Sequence, residues 1–270
     1  MNGELKPQTS TINGRLWGAR ARDFADLQEG VSQPIYEATF RRAGVKPSTR
    51  YLDAGCGAGM AAQMASALGA QVAGIDASEA LLAIARERTP DGDFRIGELE
   101  TLPFPDRSFD LVTGFNSLQY AGNPGVALAQ VGRVAKPDGQ VVVATWGDPD
   151  GMPAASVITA LRPLLPPPPP GAPGPFALSD AAALRKFAED AGLHPLEVFD
   201  VDSAFHYSDL DTGVRALNST GVAVRAMENS SEDAVSRAHR EALAPFRRAN
   251  GSYLVAAKFR RLLARSSSPS

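Results

Sequence analysis

A chain of 270 residues with 44% hydrophobic content can bury a sizeable core, as one domain or as one domain with a cap. Its formal net charge of −3, with no basic tract, argues against nucleic acid as a partner. The single cysteine, Cys56, excludes an internal disulfide and a cysteine metal cluster, and no apolar run reaches the ~20 residues of a membrane-spanning helix.

Residues 1–14 read as a disordered terminus. The stretch Met1–Thr11 is polar and lacks the apolar core of a signal peptide, so a cytoplasmic protein is expected. From Arg15 to Ala43 the pattern is helical: Leu16, Trp17, Phe24, Leu27, Val31, Ile35, Tyr36 and Phe40 recur among charges. Pro34 suits the first turn of a second helix. This aromatic-rich prelude suits a lid over a ligand; Trp17 and Phe24 taken singly suit a plain core equally well. Next, a short apolar run ends in Asp53, and glycines follow at alternate positions, Gly55, Gly57 and Gly59. Helical spacing then runs from Met60 to Leu68. Strand, tight glycine turn and helix make the first half of a βαβ nucleotide-binding unit. A dinucleotide fingerprint would put its third glycine where Met60 stands. Asp53 would repel a diphosphate, whereas an ammonium or sulfonium would be welcome. A generic α/β glycine turn is the alternative.

The stretch Tyr51-Leu52-Asp53-Ala54-Gly55-Cys56-Gly57-Ala58-Gly59 resembles motif I of the class I S-adenosylmethionine-dependent methyltransferases. The resemblance implies an α/β fold: a Rossmann-like, seven-stranded, mostly parallel sheet with an antiparallel last strand and, here, a helical cap. It also implies S-adenosylmethionine as cofactor, contacted by Asp53, Ala54, Gly55, Cys56 and Gly57. The segment Trp17–Phe24 resembles the opening of bacterial small-molecule methyltransferases of type 11, in which it packs near the methionine end of the cofactor. A second strand, Gln71–Asp76, ends in an acid spaced to accept hydrogen bonds from ribose hydroxyls, beside Ala77. Ser78 caps the following helix, whose buried face holds Leu81, Leu82, Ile84 and Ala85. A third strand runs into Gly97-Glu98-Leu99. The family usually has Gly-Asp here, with the acid accepting from the adenine amino group, so Glu98 and Leu99 join the cofactor set. The phrases Leu102–Pro105 and Ser108–Asp110 also look like this family. Strand four, Leu111–Phe115, ends at Asn116-Ser117-Leu118-Gln119-Tyr120, beyond the carboxyl edge where ligands sit in open α/β sheets. The resemblance puts Asn116 and Gln119 beside the cofactor. Some relatives have histidine where Gln119 stands, and glutamine cannot act as a base.

Asn123 caps a helix opened by Pro124, with Leu128, Val131 and Val134 inward. Arg133–Thr145 resembles the family's helix end, proline-glycine turn and fifth strand, with Asp138 as a departure. Pro166–Pro170 favours a polyproline II path, as a stiff loop or as a ligand for a partner's groove. Ser179 and Asp180 start a helix that Gly192 ends, and a sixth strand follows from about Pro195 to Val201. Residues 207–250 read as a helical insert, in which Ala234, Ala238 and Ala242 mark one face of a charged helix. The last strand is Ser252–Phe259, and residues 265–270 read as a disordered tail. The expected organisation is one methyltransferase domain over 15–264, capped by 15–43 and 207–250.

The activity implied is methyl transfer to oxygen, carbon or nitrogen of a small organic acceptor of secondary metabolism, by in-line displacement. A cofactor-binding enzyme that does not methylate, such as a cyclase, and a non-catalytic binding protein are the alternatives. His206, at the carboxyl edge after strand six and near Asp209, is the expected acid–base residue. Tyr120 and Tyr36 stand in reserve. His194 reads as a turn residue and His239 as part of a solvated helix. The three histidines are too dispersed for a metal site. No membrane partner is expected, and the chain would act as a monomer or homodimer.

Overall fold

The computed structural model describes residues 9–167 and 174–266. Seven strands form one sheet: β1 (Arg50–Ala54), β2 (Gln71–Asp76), β3 (Asp93–Ile96), β4 (Phe109–Phe115), β5 (Ala135–Trp146), β6 (Leu193–Tyr207) and β7 (Tyr253–Ser266). Their order is β3-β2-β1-β4-β5-β7-β6. The first five pair in parallel, and β7 lies antiparallel between β5 and β6. This is the Rossmann-like sheet that the glycine motif implies. Helices α1 (Thr9–Gly18), α2 (Ala21–Asp23) and α3 (Gln33–Ala43) precede the sheet. Then α4 (Met60–Ala67) and α5 (Glu79–Arg88) follow β1 and β2, and α6 (Pro124–Val134) follows β4. Between β5 and β6 lie α7 (Ala154–Thr159) and α8 (Ala181–Asp190); between β6 and β7 lie α9 (Leu210–Asn218), α10 (Gly221–Asn229) and α11 (Glu232–Leu243).

Strand alternation divides the core in two. Tyr51, Leu111, Val142 and Leu263 pack on one face with α3 and α4. Leu52, Val112, Val143 and Leu262 pack on the other with α6 and α8. With both faces covered, β1 is buried along all but its first residue, as parallel strands require. The caps work as the sequence predicts: Ser78 Oγ accepts from the Leu81 N–H at 3.3 Å, and Asn123 Oδ1 from the Val126 N–H at 3.2 Å.

Three boundaries differ from expectation. Residues 9–14 are not frayed but belong to α1, because Asn13 Nδ2 donates to the Tyr120 carbonyl at 2.7 Å and Ser10 Oγ to Glu98 Oε1 at 2.5 Å. Strand β6 runs on to Tyr207. Residues 265 and 266 belong to β7 rather than a tail, since β7 is bonded on both edges and Leu193 pairs with Ser266. Most of the proline run, the polar residues 1–8 and the last four residues lie outside the described residues. Among the described residues no helix is long and apolar enough to cross a membrane.

The N-terminal helices and the insert meet each other above the carboxyl edge of the sheet. Trp17 lies against Gly221, where a Cβ would come within 2.6 Å of its indole nitrogen. Arg15 pairs with Glu228, Arg20 with Glu232 at 2.7 Å, and Arg215 with Asp23 at 2.5 Å. These exposed pairs set the register of the two segments rather than contribute much energy. Deeper in, Tyr207 donates to Gln28 Oε1 at 2.8 Å, tying β6 to the turn before α3.

Candidate active site

The carboxyl ends of β1, β2, β4 and β5 open on a cavity of about 950 Å³, roofed by α1, the α2–α3 connection and the insert. That is near the upper end of the roughly 300–1,000 Å³ usual for small-molecule sites. The glycine turn forms its floor. The Gly55 and Cys56 N–H groups donate to the Ile75 carbonyl at 2.8 and 3.0 Å, which pins the turn to β2. Gly55 sits at φ +83°, and a Cβ there would lie 2.3 Å from Ser117 Cβ. Ser117 is itself fixed, donating to the Ala54 carbonyl at 2.6 Å. At Gly57 a Cβ would meet nothing closer than 3.8 Å and would stand in the cavity.

Three carboxylates surround this turn. Asp76 accepts from the Gly57 N–H and the Ser78 N–H, both at 2.9 Å. Its carboxylate is thereby oriented, with lone pairs left for a ligand. Burial raises its pKa against those bonds. Asp53 is buried and accepts from Thr113 Oγ1 at 2.8 Å, and Thr113 in turn shares a 2.7 Å hydrogen bond with the Tyr51 hydroxyl. Burial, with Glu29 and Asp76 nearby, raises the Asp53 pKa to about 7.

Glu29 is the acid that sequence reasoning missed. It is 4% exposed, accepts from the Met60 N–H at 3.2 Å and pairs with Arg88 at 2.5 Å. Arg88 also donates to the carbonyls of Ala58 and Ala25, at 2.9 and 3.0 Å. The start of α4, where a dinucleotide would rest its pyrophosphate, is therefore already filled by a carboxylate. Burial pushes Glu29 up in pKa despite Arg88. In the sequence Glu29 is one charge among many in a helical stretch, and nothing local marks it.

Most of the expected cofactor residues line this part of the cavity. Trp17 meets Phe24 and Tyr120 edge-on, with ring centroids 5.5 Å apart in each case. Cys56 lines the wall, its thiol pushed up in pKa by burial. Ala77, Glu98 and Leu99 line the end beneath α1. Asn116 reaches the cavity from a left-handed backbone at φ +50°, local strain of the kind that sites retain. Two expected residues are not in the wall. Ala54 is fully buried and offers only its carbonyl to Ser117. Gln119 sits behind Asn116 and donates to its Oδ1 at 2.6 Å, so it positions rather than contacts.

Residues 52–143 match the family model described as a methyltransferase domain. The chain is 38% identical over 116 residues to demethylmenaquinone methyltransferase of Renibacterium salmoninarum, covering 43% of this chain and 49% of that protein. It is 36% identical over 132 residues to the malonyl-acyl-carrier-protein O-methyltransferase of Erwinia pyrifoliae, covering 48% and 49%. The match thus spans about half the length of these curated relatives. Over residues 52–143 the chain is therefore similar to a methyltransferase domain. S-adenosylmethionine is the cofactor of that family. The fold of the whole chain is also similar to that of the cyclase SpnF, with a TM-score of 0.62, 20% identity, and coverage of 99% of this chain and 100% of that one. At that identity the likeness concerns the fold alone.

The cavity continues from the turn to a second, more apolar end, and here the expected bases are displaced. His206 is exposed and does not line the cavity. On β6, side chains alternate, so Phe205 and Tyr207 point inward and His206 points out. Tyr120 does line the cavity, but burial pushes its phenol to about 12, so it stays protonated at neutral pH. Tyr36 is likewise pushed up, by burial first and then by Glu29 and Asp53. The histidine in the wall is His239, read from sequence as solvated and in fact 3% exposed. The buried face of α11 is Val235, His239 and Leu243, one position along from the alanine stripe read as its marker. Spacing of four and eight residues from Val235 was the signal available. Among the described residues no group of three or more His, Cys, Asp or Glu side chains converges as a metal site.

Proposed function

We propose that this protein transfers a methyl group from S-adenosylmethionine to an oxygen, carbon or nitrogen atom of a small organic acceptor. The observation that carries the reading is one continuous cavity, with an acid-ringed glycine turn at one end and a more apolar chamber under the insert at the other. The residues present fit the cofactor. Gly57 leaves open the space a Cβ would fill, and the carboxylates of Asp53 and Asp76 give the turn a charge that suits a cation and repels phosphate. When bound, S-adenosylmethionine supplies a methyl group activated by its sulfonium.

In this reading Asp53 faces the positive end of the cofactor, Asp76 accepts from the ribose hydroxyls, and Glu98 accepts from the adenine amino group. Trp17 and Asn116, the latter held by Gln119, close the methionine end. The cap formed by residues 15–43 and 207–250 excludes water and holds the acceptor in line with the methyl group. Alignment and desolvation are the protein's main contributions, since the leaving group is already a good one.

Transfer of labelled methyl from S-adenosylmethionine to compounds in a cell extract tests the activity. Binding of S-adenosylhomocysteine without any transfer would favour a non-methylating enzyme or a binding protein on the same fold. Asp76→Ala is expected to weaken S-adenosylhomocysteine binding by about 1.5–3 kcal/mol in calorimetry, the range for hydrogen bonds to a charged group. Unchanged affinity in a folded variant removes Asp76 from the site.

A further inference from the structure

The far end of the cavity differs in chemistry from the glycine turn. Trp146 and Phe205 rise from the sheet, Val157 and Leu161 come from α7 and the turn after it, and Leu217 comes from α9. All five are buried. Thr159, Arg162 and Thr220 also line the cavity, and the insert adds one imidazole, that of His239. Resting on the methyl-transfer reading above, we infer that His239 Nε2 takes the proton from a phenol- or enol-type hydroxyl on a largely apolar acceptor, which makes this protein an O-methyltransferase for such compounds.

The hydrogen bonds around His239 define which nitrogen is available. Asn218 Nδ2 donates to Ser236 Oγ at 2.9 Å, which turns Asn218 Oδ1 toward His239 Nδ1 at 2.7 Å. Nδ1 therefore carries the proton, and Nε2 presents a lone pair. Nε2 has no hydrogen-bond partner among the described residues. It is also absent from the polar atoms sealed in the interior without a partner, namely those of Thr39, Thr89 and Arg261. His239 itself is among the residues that line the cavity. A buried nitrogen lone pair with no internal partner is destabilising unless a ligand supplies a donor.

The acceptor class follows from the same surroundings. Burial lowers the His239 pKa to about 4, so the ring is neutral at pH 7 and only weakly basic. Such a base suits a hydroxyl that is already acidic, in the range of a phenol near pKa 10, rather than an aliphatic alcohol. In the step itself the acceptor oxygen forms the new O–CH₃ bond, while the S–CH₃ bond breaks and its electron pair stays on sulfur. The hydroxyl proton passes to Nε2 and leaves to water with the product.

The test uses the full chain saturated with S-adenosylhomocysteine, with 1-naphthol and its methyl ether as paired probes of equal apolar bulk. S-adenosylhomocysteine binding is measured first; its failure counts against the methyl-transfer reading, not against His239. With the complex formed, 1-naphthol is expected to bind at least tenfold tighter than 1-methoxynaphthalene, and His239→Leu should bring the two within twofold. Nitrogen-15 NMR of the unsubstituted protein gives an arm that does not depend on the variant folding, with the His239 signals assigned by comparison with His239→Gln. The expected spectrum is a neutral Nδ1–H ring whose Nε2 resonance moves on adding 1-naphthol and not on adding the ether. Equal affinity for the two probes, no naphthol binding, or an Nε2–H tautomer overturns the proposal.

Discussion

Asp53→Asn is expected to weaken S-adenosylmethionine binding at least a hundredfold while making the ligand-free protein more stable at neutral pH. Both effects have one cause. Asp53 is buried beside the glycine turn, with one hydroxyl donor from Thr113 and two further acids, Glu29 and Asp76, near it. Burial dominates and raises its pKa from 3.8 to about 7. The sign follows from linkage. The folded state holds this proton up to about pH 7, whereas the unfolded chain releases it near 3.8. Stability from this group is complete below pH 3.8 and is lost as pH rises toward 7. At neutral pH the ionised form costs on the order of 4 kcal/mol, which the asparagine side chain avoids while still accepting from Thr113. Urea titrations should therefore show the variant's advantage growing between pH 4 and pH 7.

The same strain is available to a cation. A positive ligand offsets the buried charge, so removing the carboxylate removes roughly 3 kcal/mol of binding, in the range for one partner of a buried charge pair. Because Asp53 must be ionised to serve, wild-type affinity should rise about tenfold between pH 5.5 and pH 7, and the variant's should not. Calorimetry at the two pH values reads both. Tight binding to Asp53→Asn, or a flat wild-type profile, would remove Asp53 from contact with the cofactor's positive end.

Gly55→Ala is the second change with a large expected effect, about 2–6 kcal/mol of destabilisation. Left-handed φ strain in a non-glycine residue accounts for roughly 1–3 kcal/mol. Overpacking against Ser117 adds roughly 1–3 kcal/mol. The second part arises because the new Cβ would lie 2.3 Å from Ser117 Cβ, and Ser117 is held by its bond to the Ala54 carbonyl. Adding Ser117→Gly to the alanine variant should recover the steric part and leave the dihedral part. A double-mutant cycle in urea separates them. Additive effects of the two substitutions would show that the turn moves aside rather than clashes.

Much of the architecture was set by short-range chemistry that a sequence displays. Strand, glycine turn and helix follow one another at Tyr51–Met60 because glycine takes the left-handed dihedrals of the turn without strain. Ser78 and Asn123 announce helix starts because a side-chain oxygen must meet the free N–H groups. Asp76 lands at the cavity because β2 ends there, and its partners, Gly57 and Ser78, are part of the same βαβ unit.

Tertiary structure decided the groups whose role depends on elements distant in the chain. Glu29 fills the start of α4 only because Arg88, on α5, draws it there. Gln119 looked like a wall residue but was turned back onto Asn116. The two histidines changed places for reasons of register. On a strand one step flips a side chain to the other face, which sends His206 out and Phe205 in. On a helix one step rotates it by about 100°. The alanines at 234, 238 and 242 pack on either face, so they did not mark the buried side of α11. Packing of Val235, His239 and Leu243 beneath the cap selected that side, and with it the imidazole that faces the acceptor end.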